Sequence, residues 1–245
     1  MNILITGITG RMGRAVLEAV EANPASAVGG THNVGEDIAA AMQPCDAVID
    51  FSFHGFTTEL LAEAVRQNKP VVIGTTGHSD EERAAIAEAA KSIPVVFAAN
   101  FSVGVNTLFW LSRQASRILK DGYDVEIIEM HHHHKLDAPS GTARRLAEVI
   151  CEEMDMDYKQ NVVHGREGLV GARPKKEIGM HSMRGGDVVG DHTAIFATDG
   201  ERIELTHKAS SRMSFASGSV RAALWLADKP AGLYDMEDVL GFSKD

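Results

Sequence analysis

The residues best suited to chemistry lie in one stretch, Glu129-Met130-His131-His132-His133-His134-Lys135-Leu136-Asp137-Ala138-Pro139-Ser140-Gly141-Thr142. Histidine is the side chain that gives and takes protons near neutral pH, and Lys135 adds a mobile positive charge. Pro139 fixes the entry of the chain and Ser140 is a good N-cap. The amides of Gly141 and Thr142 then face outward at a helix start, which suits a carboxylate or phosphate. The whole reads as a pocket for a small carboxylate whose chemistry requires proton delivery. Hydride addition to a C=C–C=N system is such a reaction, because it leaves an anion to be protonated.

A run of histidines can also be an expression tag or a metal site. A tag would not sit inside patterned sequence. A metal site is disfavoured because adjacent histidines on an extended chain point to opposite faces, so only alternate ones converge, and no acid-rich surroundings are evident. No metal is expected.

A second chemical feature opens the chain. Gly7-Ile8-Thr9-Gly10-Arg11-Met12-Gly13 lies between an apolar run, Asn2 to Thr6, and a segment of helical period in which Met12, Val16, Ala19 and Val20 share a face. Such a turn lets the backbone approach a pyrophosphate at a helix N-terminus. Its spacing is GxxGxxG rather than GxGxxG, and a plain tight turn is the competing reading. Two further loops, Gly74-Thr75-Thr76-Gly77 and Ala99-Asn100-Phe101-Ser102, follow the strands PVVIG and PVVFA, on the sheet edge where open α/β sheets bind ligands. The second strand ends Val28-Gly29-Gly30-Thr31-His32-Asn33, with neither the acid that grips a ribose 2′-hydroxyl nor an arginine for a 2′-phosphate. The choice between NADH and NADPH stays open, and His32 reads as an exposed loop residue.

These residues need a scaffold. Up to about residue 102, short apolar strands (DAVIDF, PVVIG, PVVFA) alternate with helices (Thr57 to Gln67, Ser79 to Lys91). That pattern gives a parallel sheet covered on both faces. Beyond it come a helix from Val105 to Leu119, an alternating strand from Tyr123 to Met130, a helix from Thr142 to Met154, and β-like runs with glycine turns between 162 and 207, as in an antiparallel sheet. A helix from Ser217 to Leu226 closes the pattern. The expected fold is α/β: an N-terminal Rossmann-like doubly wound parallel sheet, with a second α+β domain built on a mixed or antiparallel sheet.

Composition removes other classes. The 245 residues carry a net charge of −10, with 44% apolar and 24% charged residues, as in an ordinary globular protein that should repel nucleic acid and anionic membranes. No apolar run approaches a membrane span, and the chain enters a strand at once, without a basic leader or cleavage site. Cys45 and Cys151 form no disulfide framework or zinc spacing, so a reducing cytoplasm is expected. Neither is placed as the nucleophile of an acyl-enzyme dehydrogenase. Another two-domain reductase, such as a homoserine dehydrogenase, and a non-catalytic dinucleotide sensor are the alternatives; the sensor would bind cofactor without needing His131 or Lys135.

The motifs Gly-x-x-Gly-Arg-Met-Gly, Gly-Thr-Thr-Gly, Ala-Asn-Phe-Ser-Val-Gly-Val-Asn, His-His-x-His-Lys-x-Asp-Ala-Pro-Ser-Gly-Thr-Ala, Arg-Gly-Gly-Asp-Val-Val-Gly-Asp-His and His-Lys-Ala-Ser-Ser-Arg follow one another over nearly the whole chain. In this the sequence resembles the 4-hydroxy-tetrahydrodipicolinate (dihydrodipicolinate) reductase family. The resemblance implies reduction of (2S,4S)-4-hydroxy-2,3,4,5-tetrahydrodipicolinate to tetrahydrodipicolinate, with loss of water, by NADPH or NADH, in lysine biosynthesis through diaminopimelate. It implies that His131 is the proton donor or acceptor, Lys135 a second donor and His132 a substrate contact, while the Gly141 and Thr142 amides hold a substrate carboxylate. Gly7, Ile8, Thr9, Gly10, Arg11 and Met12, with Gly74, Thr75, Thr76, Ala98, Ala99, Asn100 and Phe101, would line the cofactor. It further implies a homotetramer joined through the second domains. The chain end would return to the nucleotide domain, giving 1–102 plus 212–245 for the dinucleotide and 103–211 for substrate and assembly.

Overall fold

Strands rich in Val, Ile and Leu that are buried on both faces must be covered on both, and the N-terminal part of the chain solves this with helices. The computed structural model describes residues 1–242. In chain order, β1 (Asn2–Thr6), α1 (Arg11–Ala22), β2 (Ala27–His32), α2 (Ile38–Met42), β3 (Ala47–Asp50), α3 (Thr57–Gln67), β4 (Val71–Ile73), α4 (Asp80–Ala89) and β5 (Pro94–Phe97) build the first unit. Then come α5 (Val103–Leu119), β6 (Asp124–His131), α6 (Gly141–Glu153), α7 (Tyr158–Asn161), β7 (Val162–His164), β8 (Ile178–Arg184), β9 (Gly190–Thr198) and β10 (Glu201–Ala209). Finally α8 (Met213–Leu226), β11 (Gly232–Tyr234) and α9 (Met236–Leu240) return to the first unit. One compact unit holds Met1 to Val103 and the segment from Arg212 on; the other holds Gly104 to Ser211.

The first unit is a six-stranded sheet, β11-β5-β4-β3-β1-β2, parallel throughout. Alternation along each strand splits its core in two. Ile3, Ile5, Ile49, Val72 and Val96 pack with Val16, Val20, Ala216, Val220 and Leu226 of α1 and α8. Leu4, Val48, Val71, Ile73 and Val95 pack on the other face with Met42, Leu60, Leu61 and Ile86 of α2, α3 and α4. Each such side chain contributes roughly 1.5–3 kcal/mol of burial.

The second unit is a five-stranded sheet, β10-β9-β6-β8-β7. Its β10–β9 and β9–β6 pairs are antiparallel, and β6–β8 and β8–β7 are parallel. The sheet is therefore mixed, the first of the two forms expected. Strand β8 follows a long connection from β7 and takes the parallel direction. Helices α5 and α6 cover one face through Val105, Leu108, Phe109, Leu146, Ala147 and Ile150. On the other face Glu126 lies over Gly179, where a Cβ would sit 1.8 Å from its Oε2. Glu126 accepts hydrogen bonds from Arg166 (2.7 Å), Arg173 (3.2 Å) and His181 (2.8 Å). Burial alone would raise its pKa, but these donors outweigh it and hold the carboxyl at about 2.

Candidate active site

In β6 the inward positions are Val125, Ile127, Glu129 and His131, each buried, while their neighbours face the other side. An alternation that begins with aliphatic residues thus carries a glutamate and a histidine into the interior at the end of the strand. Glu129 has no solvent exposure and His131 has 8%. The Nδ1–H of His131 donates to Glu129 Oε2 at 2.5 Å. Parallel pairing sets His131 opposite Arg184 of β8. Arg184 donates through both terminal nitrogens to Glu129, each at 2.8 Å, a bidentate arrangement. Burial would raise the Glu129 pKa, but hydrogen bonds from Arg184, His131 and Ser182 lower it, so the carboxylate is ionised.

The same carboxylate reaches the start of α6. The Ser140 N–H donates to Glu129 Oε1 at 3.1 Å, and Ser140 Oγ accepts from Ala143 N at 3.1 Å as the expected N-cap. The hydroxyl proton of Ser140 then has His192 Nε2 as acceptor, 3.0 Å away. His192 is 3% exposed, its ring edge packs on His131 at 5.1 Å, and burial, with His131 beside it, pushes its pKa down to about 3. It stands neutral against His131. Gly141 and Thr142 occupy the first two positions of α6, where backbone N–H groups point out of the helix end. A Cβ at Gly190 would lie 2.9 Å from His131 Nε2, so glycine keeps that nitrogen accessible.

Between His131 and Ser140 the chain makes a turn. Its Lys135 N–H donates to the His132 carbonyl at 3.1 Å, and Lys135 Nζ pairs with Asp137 Oδ1 at 2.8 Å. Arg184 donates to the Asp137 carbonyl at 2.8 Å. The His133 and His134 rings meet at a tilt, 4.0 Å apart, and are exposed, and His132 is half-buried. His131, Gly141 and Thr142 are thus joined through Glu129 and Ser140, and Lys135 is tied in through Asp137 and Arg184. Among the described residues no three of His, Cys, Asp and Glu are grouped to hold a metal ion.

In the first unit the expected cofactor residues sit at the carboxyl ends of β1, β4 and β5. Gly7 adopts φ +69°, and a Cβ there would lie 2.6 Å from the Phe51 carbonyl; one at Gly13 would lie 2.2 Å from the Gly7 oxygen. No side chain caps α1 at Gly10. This bare helix start behind a glycine cradle fits a dinucleotide pyrophosphate. The Phe51 ring fills the place of a Gly74 side chain, at 2.1 Å. Phe101 is a core residue packed edge-on against Phe51 at 5.8 Å, so only its backbone can face a ligand. Asn100 uses its Oδ1 to accept from Ser102 N at 2.9 Å. Ala98 is half-buried, and Ala99 and Thr76 are exposed.

His32 is not the exposed loop residue expected. It ends β2, is 1% exposed, bonds the Glu36 carbonyl at 3.1 Å and stacks on Phe56 at 5.0 Å. Asn33 instead meets the glycine turn, accepting from Thr9 N (3.3 Å) and Thr9 Oγ1 (3.1 Å).

Three interior residues were given no role by the sequence reading. Asp50, the buried last residue of β3, accepts from the hydroxyls of Thr6, Ser52 (2.5 Å) and Thr75 (2.6 Å). Thr75 Oγ1 accepts in turn from Ser52 N at 2.9 Å. One carboxylate so ties the end of β1 to the loops after β3 and β4, and Thr75 turns its side chain inward. Glu129 and Gly190 are the other two. The signal for Glu129 was its inward register in an otherwise apolar alternation.

Known proteins match the chain along its length. Residues 1–101 match the family model described as dihydrodipicolinate reductase, N-terminus, and residues 104–240 the one described as dihydrodipicolinate reductase, C-terminus. A 4-hydroxy-tetrahydrodipicolinate reductase of Akkermansia muciniphila is 65% identical over 244 residues, covering 100% of this chain and 99% of that protein. The one of Hahella chejuensis is 49% identical, covering 98% of each. A dipicolinate-bound dihydrodipicolinate reductase from Paenisporosarcina sp. TG-14 superposes with TM-score 0.81 at 25% identity, over 96% of this chain and 97% of that one.

Proposed function

This chain belongs to the dihydrodipicolinate reductase family, and from that premise we propose that it reduces 4-hydroxy-tetrahydrodipicolinate to tetrahydrodipicolinate, with loss of water, in the diaminopimelate route to lysine. The observation that carries this reading is the joining of His131, Glu129 and the α6 start at one end of the second sheet; it supports a proton donor working beside a helix terminus that takes a carboxylate.

A bound nicotinamide, NADPH or NADH, supplies the hydride. The residues from Gly7 to Met12, Gly74 to Thr76 and Ala98 to Phe101 hold that cofactor on the first unit, and residues 104–211 hold the substrate. The amides of Gly141 and Thr142 take one substrate carboxylate, and His132 contacts the substrate. His131 exchanges a proton through Nε2, the nitrogen that Glu129 leaves unused and Gly190 leaves accessible. Lys135 serves as the second donor. The substrate class follows the relatives' name and the dipicolinate bound to the Paenisporosarcina enzyme. The protein works in the cytoplasm as a homotetramer joined through the second sheets; no described helix is long and apolar enough to cross a membrane. Light scattering checks the assembly.

The deciding experiment makes the substrate enzymatically from pyruvate and aspartate semialdehyde, adds NADPH or NADH, and follows the nicotinamide absorbance. Consumption is expected; none with either cofactor would sink the assignment. His131→Gln and Lys135→Ala should each lower kcat by roughly 10²-fold, and unchanged kcat in both would refute their roles. The two KM values decide the preferred cofactor.

A further inference from the structure

Glu129 takes no part in the proposed reaction, yet it is the most heavily bonded group in the second unit's site. A buried carboxylate needs compensation for its lost hydration, and a bidentate arginine alone can supply much of it. Here each oxygen is instead shared between Arg184 and a site group, with a further side-chain hydrogen bond from Ser182. Oε2 accepts from Arg184 and from His131 Nδ1. Oε1 accepts from Arg184 and from the Ser140 N–H, one residue before Gly141. Arg184 extends the set to the Asp137 carbonyl, and Asp137 holds Lys135.

We propose that Glu129 is a positioning residue that locks His131 and the start of α6 into one rigid piece, fixing the distance between the proton-transfer nitrogen and the carboxylate-binding amides. The proposal rests on the roles given above to His131 and Gly141. It does more than set the histidine tautomer. An ionised acceptor at Nδ1 makes that nitrogen the donor and leaves Nε2 to face the substrate. The second oxygen means that displacing Glu129 disturbs the carboxylate site as well.

Glu129→Gln keeps the volume but replaces one oxygen by an N–H₂ group. Whichever way the amide lies, a donor then faces Arg184 and either His131 or Ser140. Dipicolinate, titrated calorimetrically with a nicotinamide cofactor present, probes the carboxylate site without turnover. Relative to wild type, E129Q should lower kcat about 10²-fold and weaken dipicolinate about tenfold. His131→Gln should lower kcat comparably while dipicolinate affinity stays within about threefold. A folded E129Q protein with wild-type kcat and affinity would overturn the proposal, and so would loss of kcat with dipicolinate binding intact.

Should E129Q not fold, the wild type decides. Its proton NMR spectrum should hold an imidazole N–H resonance well downfield of the backbone amides and missing from His131→Gln, and its absence would overturn the proposal. If wild type reduces nothing with either cofactor, the functional assignment fails alone, and the resonance and the dipicolinate titration still judge Glu129.

Discussion

Replacing Asp50 by asparagine tests whether one buried carboxylate holds the cofactor loops together. In the Asn variant Oδ1 still accepts from Thr6 and Ser52, but an N–H₂ group replaces Oδ2 opposite Thr75. Thr75 Oγ1 can accept that group alongside the Ser52 N–H, but its own proton is then left without an acceptor in a buried site. A stranded buried hydroxyl costs about 1–3 kcal/mol. Losing the charge on the two remaining bonds costs roughly 1 kcal/mol more, since charge-assisted bonds are about twice as strong as neutral ones. The expected total is about 2–4 kcal/mol. At about 2–4 °C per kcal/mol for a protein of this size, melting should fall by roughly 4–16 °C. Because the three hydroxyls belong to the end of β1 and the loops after β3 and β4, NADH affinity should also drop, by about tenfold for each 1.4 kcal/mol lost in loop placement. Differential scanning calorimetry and cofactor fluorescence titration measure the two effects. Melting within about 1 °C of wild type, with unchanged affinity, would refute the reasoning.

Gly190→Ala should lower melting by roughly 2–12 °C, since crowding a packed site costs about 1–3 kcal/mol, and cut kcat about tenfold, because the new methyl would stand 2.9 Å from His131 Nε2 while Glu129 prevents the ring from retreating; a wild-type kcat would show that Nε2 is not the working nitrogen. Stability should decline steadily on acidification. His192, at about 3 in the folded protein against about 6.5 unfolded, contributes stability that is full above pH 6.5 and lost as pH falls toward 3. His78 and His207, also lowered by burial, act in the same sense. Glu126, at about 2 against 4.5, adds a further loss as pH falls from 4.5 toward 2. Urea midpoints measured from pH 7.5 to 4 check the sign, and a maximum near pH 5 would contradict it.

The parallel α/β half was legible because its strands are short, β-branched and buried on both faces, leaving a strong period contrast with the helices. The α6 start was legible because N-cap and helix-terminus chemistry is local in sequence: Ser140 caps α6 as its position suggested. What holds the site was hidden because it is nonlocal. Arg184 reaches Glu129 only through the parallel β6–β8 register, and nothing in the β8 sequence announces the direction in which it pairs. Asp50 read as the end of an ordinary strand, since its partners lie at the ends of three separate strands. His32 failed for a different reason: it is the last residue of β2, not a loop residue, and its ring is a buried stacking partner of Phe56. The short elements α2, α7, α9 and β11 lacked enough residues to establish a period.

The return of the chain to the first sheet has a consequence for synthesis on the ribosome. Strand β11 pairs with β5, and α8 covers the face formed by Ile3, Ile5 and Ile49. Yet β11 begins about 130 residues after Phe101. At about 5–20 residues per second, the nascent N-terminal half waits about 6–26 s with an unpaired strand edge and an uncovered apolar face. In that interval the whole second unit emerges and can fold first. The dinucleotide half, though made first, is completed last, and it is the part of the nascent chain most in need of a holding chaperone.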